Sequence, residues 1–142
     1  MKDQQASGGY RVTPIGVVRS PLVDRQDAPR QGDEGAPDAW LELTPDVAQG
    51  LAGLSTGAEI VILTWLHQAD RATLQVHPRG NRALPLTGVF ATRSPDRPNP
   101  IGLHRATVLA FDGTRLHVDR MEAIDGTPII DIKPVLGRID ER

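Results

Sequence analysis

The residues best equipped for chemistry lie in Gly88-Val89-Phe90-Ala91-Thr92-Arg93-Ser94-Pro95-Asp96-Arg97-Pro98-Asn99-Pro100-Ile101-Gly102-Leu103. Arg93 and Arg97 are permanent cations whose planar forks match carboxylates and phosphates, and Asn99 adds an amide that pairs a donor with an acceptor. Three prolines in six residues stiffen the stretch. Each fixes its own φ near −65° and pushes the residue before it toward extended backbone, here Ser94, Arg97 and Asn99. A loop restricted in this way loses less entropy on folding and can hold side chains in fixed positions. Gly102 then permits a close backbone approach or a positive φ. Taken alone, the stretch also describes a rigid surface connection whose arginines are merely solvated.

Other candidates are spread along the chain. Ala28-Pro29-Arg30-Gln31 sits in a loop rich in charge, His67-Gln68 follows an apolar run, and Asp125-Gly126-Thr127-Pro128 precedes another, which contains Asp131. Each has a plainer reading. Arg30 among acids can be a surface ion pair worth about 0–1 kcal/mol. Asp125-Gly126 is a turn by residue type, and His67 at a strand end can be a satisfied, partly buried imidazole. His77, His104 and His117 stand at wide spacings without a metal-ligand pattern, so no metal site is expected. No G-x-S-x-G context supports a serine nucleophile. Neither the dinucleotide fingerprint nor the P-loop occurs, so no Rossmann fold is expected.

The elements that must position these residues read mainly as strands. Tyr10 to Arg19 is a first strand interrupted by Pro14 and Gly16, followed by a long loop from Ser20 to Asp38. Trp40 to Leu43 reads as a short strand. Thr44-Pro45-Asp46 has the chemistry of a helix start, with Val47, Leu51 and Leu54 on one stripe, and Gly50 and Gly53 limit that helix to about three turns. Ile60 to Leu66 is continuously apolar and reads as a central strand buried on both faces. Leu74 and Val76 mark another short strand, and Val89 to Thr92 a short β-like run. Ala106–Phe111 and Thr114–Val118 flank Asp112-Gly113, a two-residue type I′ hairpin turn by composition. Thr127 to Ile132 is a last strand. The expected fold is mainly β, a small, mostly antiparallel barrel with one short helix.

At 142 residues, with 39% hydrophobic and 24% charged residues, the chain has the size and composition of one globular domain. The expected division is a tail over 1–9, one domain over 10–137 and a C-terminal tail over 138–142. With no cysteine, disulfides, thiolate metal sites and cysteine nucleophiles are excluded. The first residues lack a secretory h-region, and Ile60–Leu66 is too short to span a bilayer, so a cytoplasmic protein with no membrane partner is expected. The net charge of −2 hides a segregation. Between residues 71 and 105 six arginines meet one acid, giving +5 and leaving −7 for the rest. That pattern fits an anionic ligand on one side of the fold, and equally a pairing of two complementary halves.

Four segments in order resemble the TrmO family, also called TsaA-like proteins: Pro14–Pro21, Ala28–Gln31, Gly88–Leu103 and Asp125–Pro134, with a weaker match at His67-Gln68. The resemblance spans roughly residues 10 to 136. It implies a β-barrel that dimerises and S-adenosylmethionine as cofactor. The implied activity is a methyltransferase acting on N6 of threonylcarbamoyladenosine at position 37 of tRNA, in a short form without the further C-terminal domain of longer bacterial members. The family's cofactor-binding positions fall on Pro29, Arg30, Gln31, His67, Gln68, Arg93, Leu103, Asp125, Gly126, Thr127 and Pro128. Arg30, Arg93 and Arg97 suit the cofactor's carboxylate, Gln31 or Asn99 an adenine edge, and Asp125 or Asp131 its amino group. The general base stays open among Asp125, Asp131 and His67. Two positions depart from the family pattern: His104 follows Leu103 where a small hydroxyl residue is more usual, and Val135 replaces a common aromatic. Methyl transfer to a small molecule or protein, and cofactor binding without turnover, are the alternatives.

Overall fold

Residues 8–137 are described by the computed structural model. The expected tails therefore lie outside the described residues, save for Gly8 and Gly9. Six strands close into an antiparallel barrel: β1 (Gly16–Arg19), β2 (Ala39–Leu43), β3 (Glu59–Trp65), β6 (Ile101–Asp112), β7 (Arg115–Val118) and β8 (Pro128–Pro134). Their order around the wall is β1-β2-β7-β6-β3-β8, and β8 pairs back onto β1. Two further pieces, β4 (Gln75–Val76) and β5 (Thr87–Gly88), pair only with each other. The barrel expected from the sequence is present.

Period-two alternation explains the closure. Val18, Leu41, Leu43, Ile60, Ile62, Ala106, Val108, Leu116, Val118 and Ile129 point inward and form one buried cluster with Met121. β6 is long because it serves two neighbours: Ile101 to Thr107 pairs with β3, and the part from Val108 onward pairs with β7. The register shift between Val108 and Ala110 marks the bend between the two pairings.

Several local expectations are corrected. β3 is not buried on both faces: Ile60, Ile62 and Thr64 are buried, whereas Val61, Leu63 and Trp65 are only partly covered. In a closed barrel one face of every strand looks outward, and a continuously apolar run does not reveal that. The helix after Thr44 is a 3-10 helix, Pro45–Leu51, because Gly50 and the positive φ of Gly53 leave too short a run for α-helical propagation. Its stripe does as expected, with Val47, Leu51 and Leu54 packing against the core. Val89–Ala91 is also a 3-10 turn, not a strand. The hairpin loop is Gly113-Thr114, since Asp112 pairs with Arg115. Only Gly113 has positive φ there, which matches a II′ turn and not I′.

The two ends of the barrel differ. Residues 45–54 cover the end where β2 and β8 finish. At the other end β1, β3 and β7 finish, β2, β6 and β8 begin, and the long connections gather.

Candidate functional site

At that second end a cleft of about 1570 Å³ opens. Its walls come from residues 25–34, the exit of β3, residues 76–82, the proline-rich loop, the first residues of β6, and residues 122–127. Ligand pockets usually measure about 300–1,000 Å³. This one has room for a cofactor together with part of a second molecule.

Guanidinium groups hold the walls in place. Arg97 Nε donates to Ser94 O at 2.8 Å, and its Nη2 donates to Val89 O at 2.6 Å and also to Thr92 O. It therefore staples the 3-10 turn to the proline loop. The carboxylate clamp expected of Arg97 is spent on backbone carbonyls. Arg71 Nε donates to Pro98 O at 2.7 Å and its Nη2 to Asn99 Oδ1 at 3.1 Å, so the Asn99 amide is also engaged within the loop. Arg25 bridges the cleft's rim, with Nη1 donating to Gln68 O at 3.0 Å and Nη2 meeting Asp96 at 2.7 Å. Asp96 also accepts from Asp70 N–H at 2.8 Å. Arg79 pairs with Glu34 at 2.6 Å and links the 20–38 loop to residues 78–80.

Three cations in the cleft remain available. Among the described residues no carboxylate forms an ion pair with Arg30, Arg82 or Arg93, which all line it. The +5 stretch thus does not act as one surface: Arg71, Arg79 and Arg97 hold structure, and Arg105 pairs with Glu59 at 2.7 Å.

The cleft brings together most of the sequence-derived site residues. Pro29, Arg30, Gln31, His67, Gln68, Arg93, Leu103 and Thr127 all line it, although they come from four separate stretches. Asp125, Gly126 and Pro128 are not among its lining residues. Asp125 Oδ1 instead accepts from Ser20 N–H at 3.0 Å, and Asp125 and Gly126 N–H donate to Leu22 O and Val18 O at 2.7 Å each. That turn anchors the start of the 20–38 loop. Asp131 lies toward the opposite end, beside a smaller apolar slot, 3.1 Å from Lys133. Of the three base candidates, His67 alone lines the cleft.

Two cleft residues escaped the sequence reading as site residues. His104 and Glu122 meet inside the barrel, Nδ1 to Oε1 at 2.6 Å, and His104 Nε2 lies 2.7 Å from Thr64 Oγ1. The alternation of β6, which turns Gly102, His104, Ala106 and Val108 inward, was a usable signal for His104. Nothing in the order of residues pointed to Glu122, which follows β7 in an irregular segment.

A profile described as the tRNA-methyltransferase O N-terminal domain matches residues 17–141. The chain belongs to that family. The family resemblance drawn from four short segments therefore holds over nearly the whole chain. Among relatives, a "probable S-adenosyl-L-methionine-binding protein" of Methanothermobacter thermautotrophicus is 44% identical over 130 residues, covering 92% of this chain and 93% of that protein. An S-adenosyl-L-methionine-binding protein of Archaeoglobus fulgidus is 42% identical over 127 residues, 89% of this chain and 90% of its own. The crystal structure of TrmO from Pseudomonas aeruginosa is similar with a TM-score of 0.72 and 33% identity. It matches 95% of this chain, which spans 60% of that solved chain. The barrel is thus the fold of TrmO crystal structures, reached here through the family's N-terminal domain.

Proposed function

We propose that this protein is an S-adenosylmethionine-dependent methyltransferase that modifies N6 of threonylcarbamoyladenosine at position 37 of tRNA, in the cytoplasm and as a homodimer. The observation that carries this reading is the convergence of Arg30, Gln31, His67, Gln68, Arg93, Leu103 and Thr127 on one cleft, with Arg30 and Arg93 free of carboxylate partners among the described residues. The names of the relatives and the family's description support the same reading.

The donor set suits such a cofactor. Arg30 and Arg93 can take its carboxylate through charge-assisted hydrogen bonds. Gln31 and Gln68 carry paired donors and acceptors for an adenine edge. Apart from that donor set the cleft holds the Glu122 carboxylate, whose Oε2 is buried and has no hydrogen-bond partner among the described residues. When bound, the cofactor supplies a methyl carbon made electrophilic by a positively charged sulfur. The chain's own residues supply position: the stapled proline loop fixes Arg93, and Leu66 and Ile124 keep the floor apolar.

The homodimer has its own support. Phe90 is 83% exposed, and Ile101 and Leu103 are half-exposed; all three line the cleft. An apolar rim of this kind is where a second copy closes an open site. Sedimentation should give a dimer at micromolar concentration; a monomer with full cofactor affinity would contradict it.

Acceptor identity is tested by mass spectrometry of tRNA nucleosides from cells with and without the gene, in a strain lacking any other copy of the enzyme. The expected result is loss of methylated threonylcarbamoyladenosine. An unchanged level, with labelled methyl groups entering another fraction, favours a small-molecule or protein acceptor. Binding with no transfer into any fraction identifies a non-catalytic S-adenosylmethionine-binding module.

A further inference from the structure

A chain of three polar side chains runs from the core to the cleft, one from each of three elements: Thr64 on β3, which is fully buried, and His104 on β6 and Glu122 beyond β7, which both line the cleft. Thr64 stands opposite Gly102 in the ladder and His104 opposite Ile62, so the two polar residues are diagonal neighbours. They meet because Gly102 has no side chain. A Cβ there would lie 2.5 Å from Thr64 Oγ1 and 2.7 Å from His104 Nε2.

The hydrogen bonds give the chain a direction. Thr64 is fully buried, and among the described residues its hydroxyl has no other partner. An ionised carboxylate only accepts, so the pairing with Glu122 Oε1 favours the tautomer with the proton on Nδ1, whose Nε2 accepts from the Thr64 hydroxyl. The Nδ1 bond uses one of about four lone-pair positions on the carboxylate. Oε2 is buried and has no partner among the described residues. Gly32 lets the 20–38 loop pass close over this segment: a Cβ there would lie 2.3 Å from Arg120 O and 3.3 Å from Glu122 Oε2. Glu122 is 12% exposed at its side chain and lines the cleft. An anchor for a cation needs only a carboxylate. A carboxylate backed by an imidazole and a hydroxyl in a water-poor wall is equipped to take up a proton and adjust to it.

We propose that Glu122 is the catalytic base for the methyl acceptor, with His104 and Thr64 as its positioning residues. This rests on the methyl-transfer reading above. The acceptor's nitrogen forms the new N–C bond, the C–S bond of the sulfonium donor breaks with its electron pair passing to sulfur, and the nitrogen's proton passes to the Glu122 carboxylate and on to water.

Glu122→Gln keeps the shape and an acceptor for His104 but cannot take up a proton. In that variant S-adenosylmethionine affinity, read by calorimetry, should stay within about threefold of wild type, while methyl transfer to unfractionated tRNA falls at least about a hundredfold. Transfer at the wild-type rate, or a cofactor affinity lowered about tenfold or more, overturns the assignment. A wild-type protein that binds no S-adenosylmethionine overturns the methyltransferase reading itself, and this assignment with it. Should Glu122→Gln fail to fold, Thr64→Val provides the second test. Ring nitrogen NMR of the wild type should show the His104 proton on Nδ1, and Thr64→Val should leave it there, shift the Nε2 resonance toward that of a free acceptor nitrogen and lower kcat with KM unchanged. A proton on Nε2 in the wild type, or an unaltered kcat in Thr64→Val, contradicts the relay.

Discussion

The two ends of this barrel solve opposite problems with different forces. At one end residues 45–54 lie across the opening, and Val47, Leu51 and Leu54 pack onto the core. An apolar slot of about 370 Å³ lies there, with Asp131 beside it. At the other end apolar side chains such as Phe90, Ile101 and Leu103 stay exposed, and the loops are held by Arg25, Arg71, Arg79 and Arg97. Apolar contacts are non-directional and fill space as they stabilise. Guanidinium bonds to carbonyls and carboxylates reach several ångströms and fix a loop without filling the volume beneath it. A cleft needs the second kind of support. The difference teaches where function can sit in a small barrel: at the end whose loops are tied by hydrogen bonds to charged groups.

The largest expected effect lies between the two ends. Ile62→Ala removes a fully buried side chain from the shared core and should cost about 2–5 kcal/mol in urea unfolding, weakening both ends together. Arg97→Ala comes next and should separate them. It strips a charged donor from the Ser94, Val89 and Thr92 carbonyls, a loss of about 1.5–3 kcal/mol, and S-adenosylmethionine affinity should fall with it because Arg93 loses its fixed position. Leu51→Ala at the covered end is the smallest of the three, since the residue is only half-buried. It should lower the unfolding midpoint by about 1–2 kcal/mol in stability while cofactor affinity is unchanged. If Leu51→Ala weakened the cofactor as strongly as Arg97→Ala, the division of labour between the ends would be wrong.

Much of this arrangement is legible in the sequence, and the exceptions have physical causes. The hairpin of β6 and β7 and its alternation follow from side-chain period, although the turn falls one residue later than its Asp-Gly pair suggests. The proline-rich loop announces its rigidity through residue type alone. What sequence does not carry is the allocation of each cation. Arg93 and Arg97 are four residues apart in one loop, yet Arg97 turns back onto three carbonyls, whereas Arg93 lines the cleft with no ion pair among the described residues. Only the path of the folded loop distinguishes them. Asp125 and Glu122 show the same limit. The residue with the turn signature anchors a loop, and the one without a signature faces the cleft beside His104. That pairing joins β6 to the segment after β7, and no local pattern encodes it.

Binding of S-adenosylmethionine at the open end is read by titration calorimetry on the intact protein. Wild type and Leu51→Ala should bind with the same affinity, and Arg93→Ala should bind about ten- to a hundredfold more weakly, the loss expected for one charge-assisted bond. No detectable binding by the wild type, or an Arg93→Ala affinity equal to it, would contradict the account.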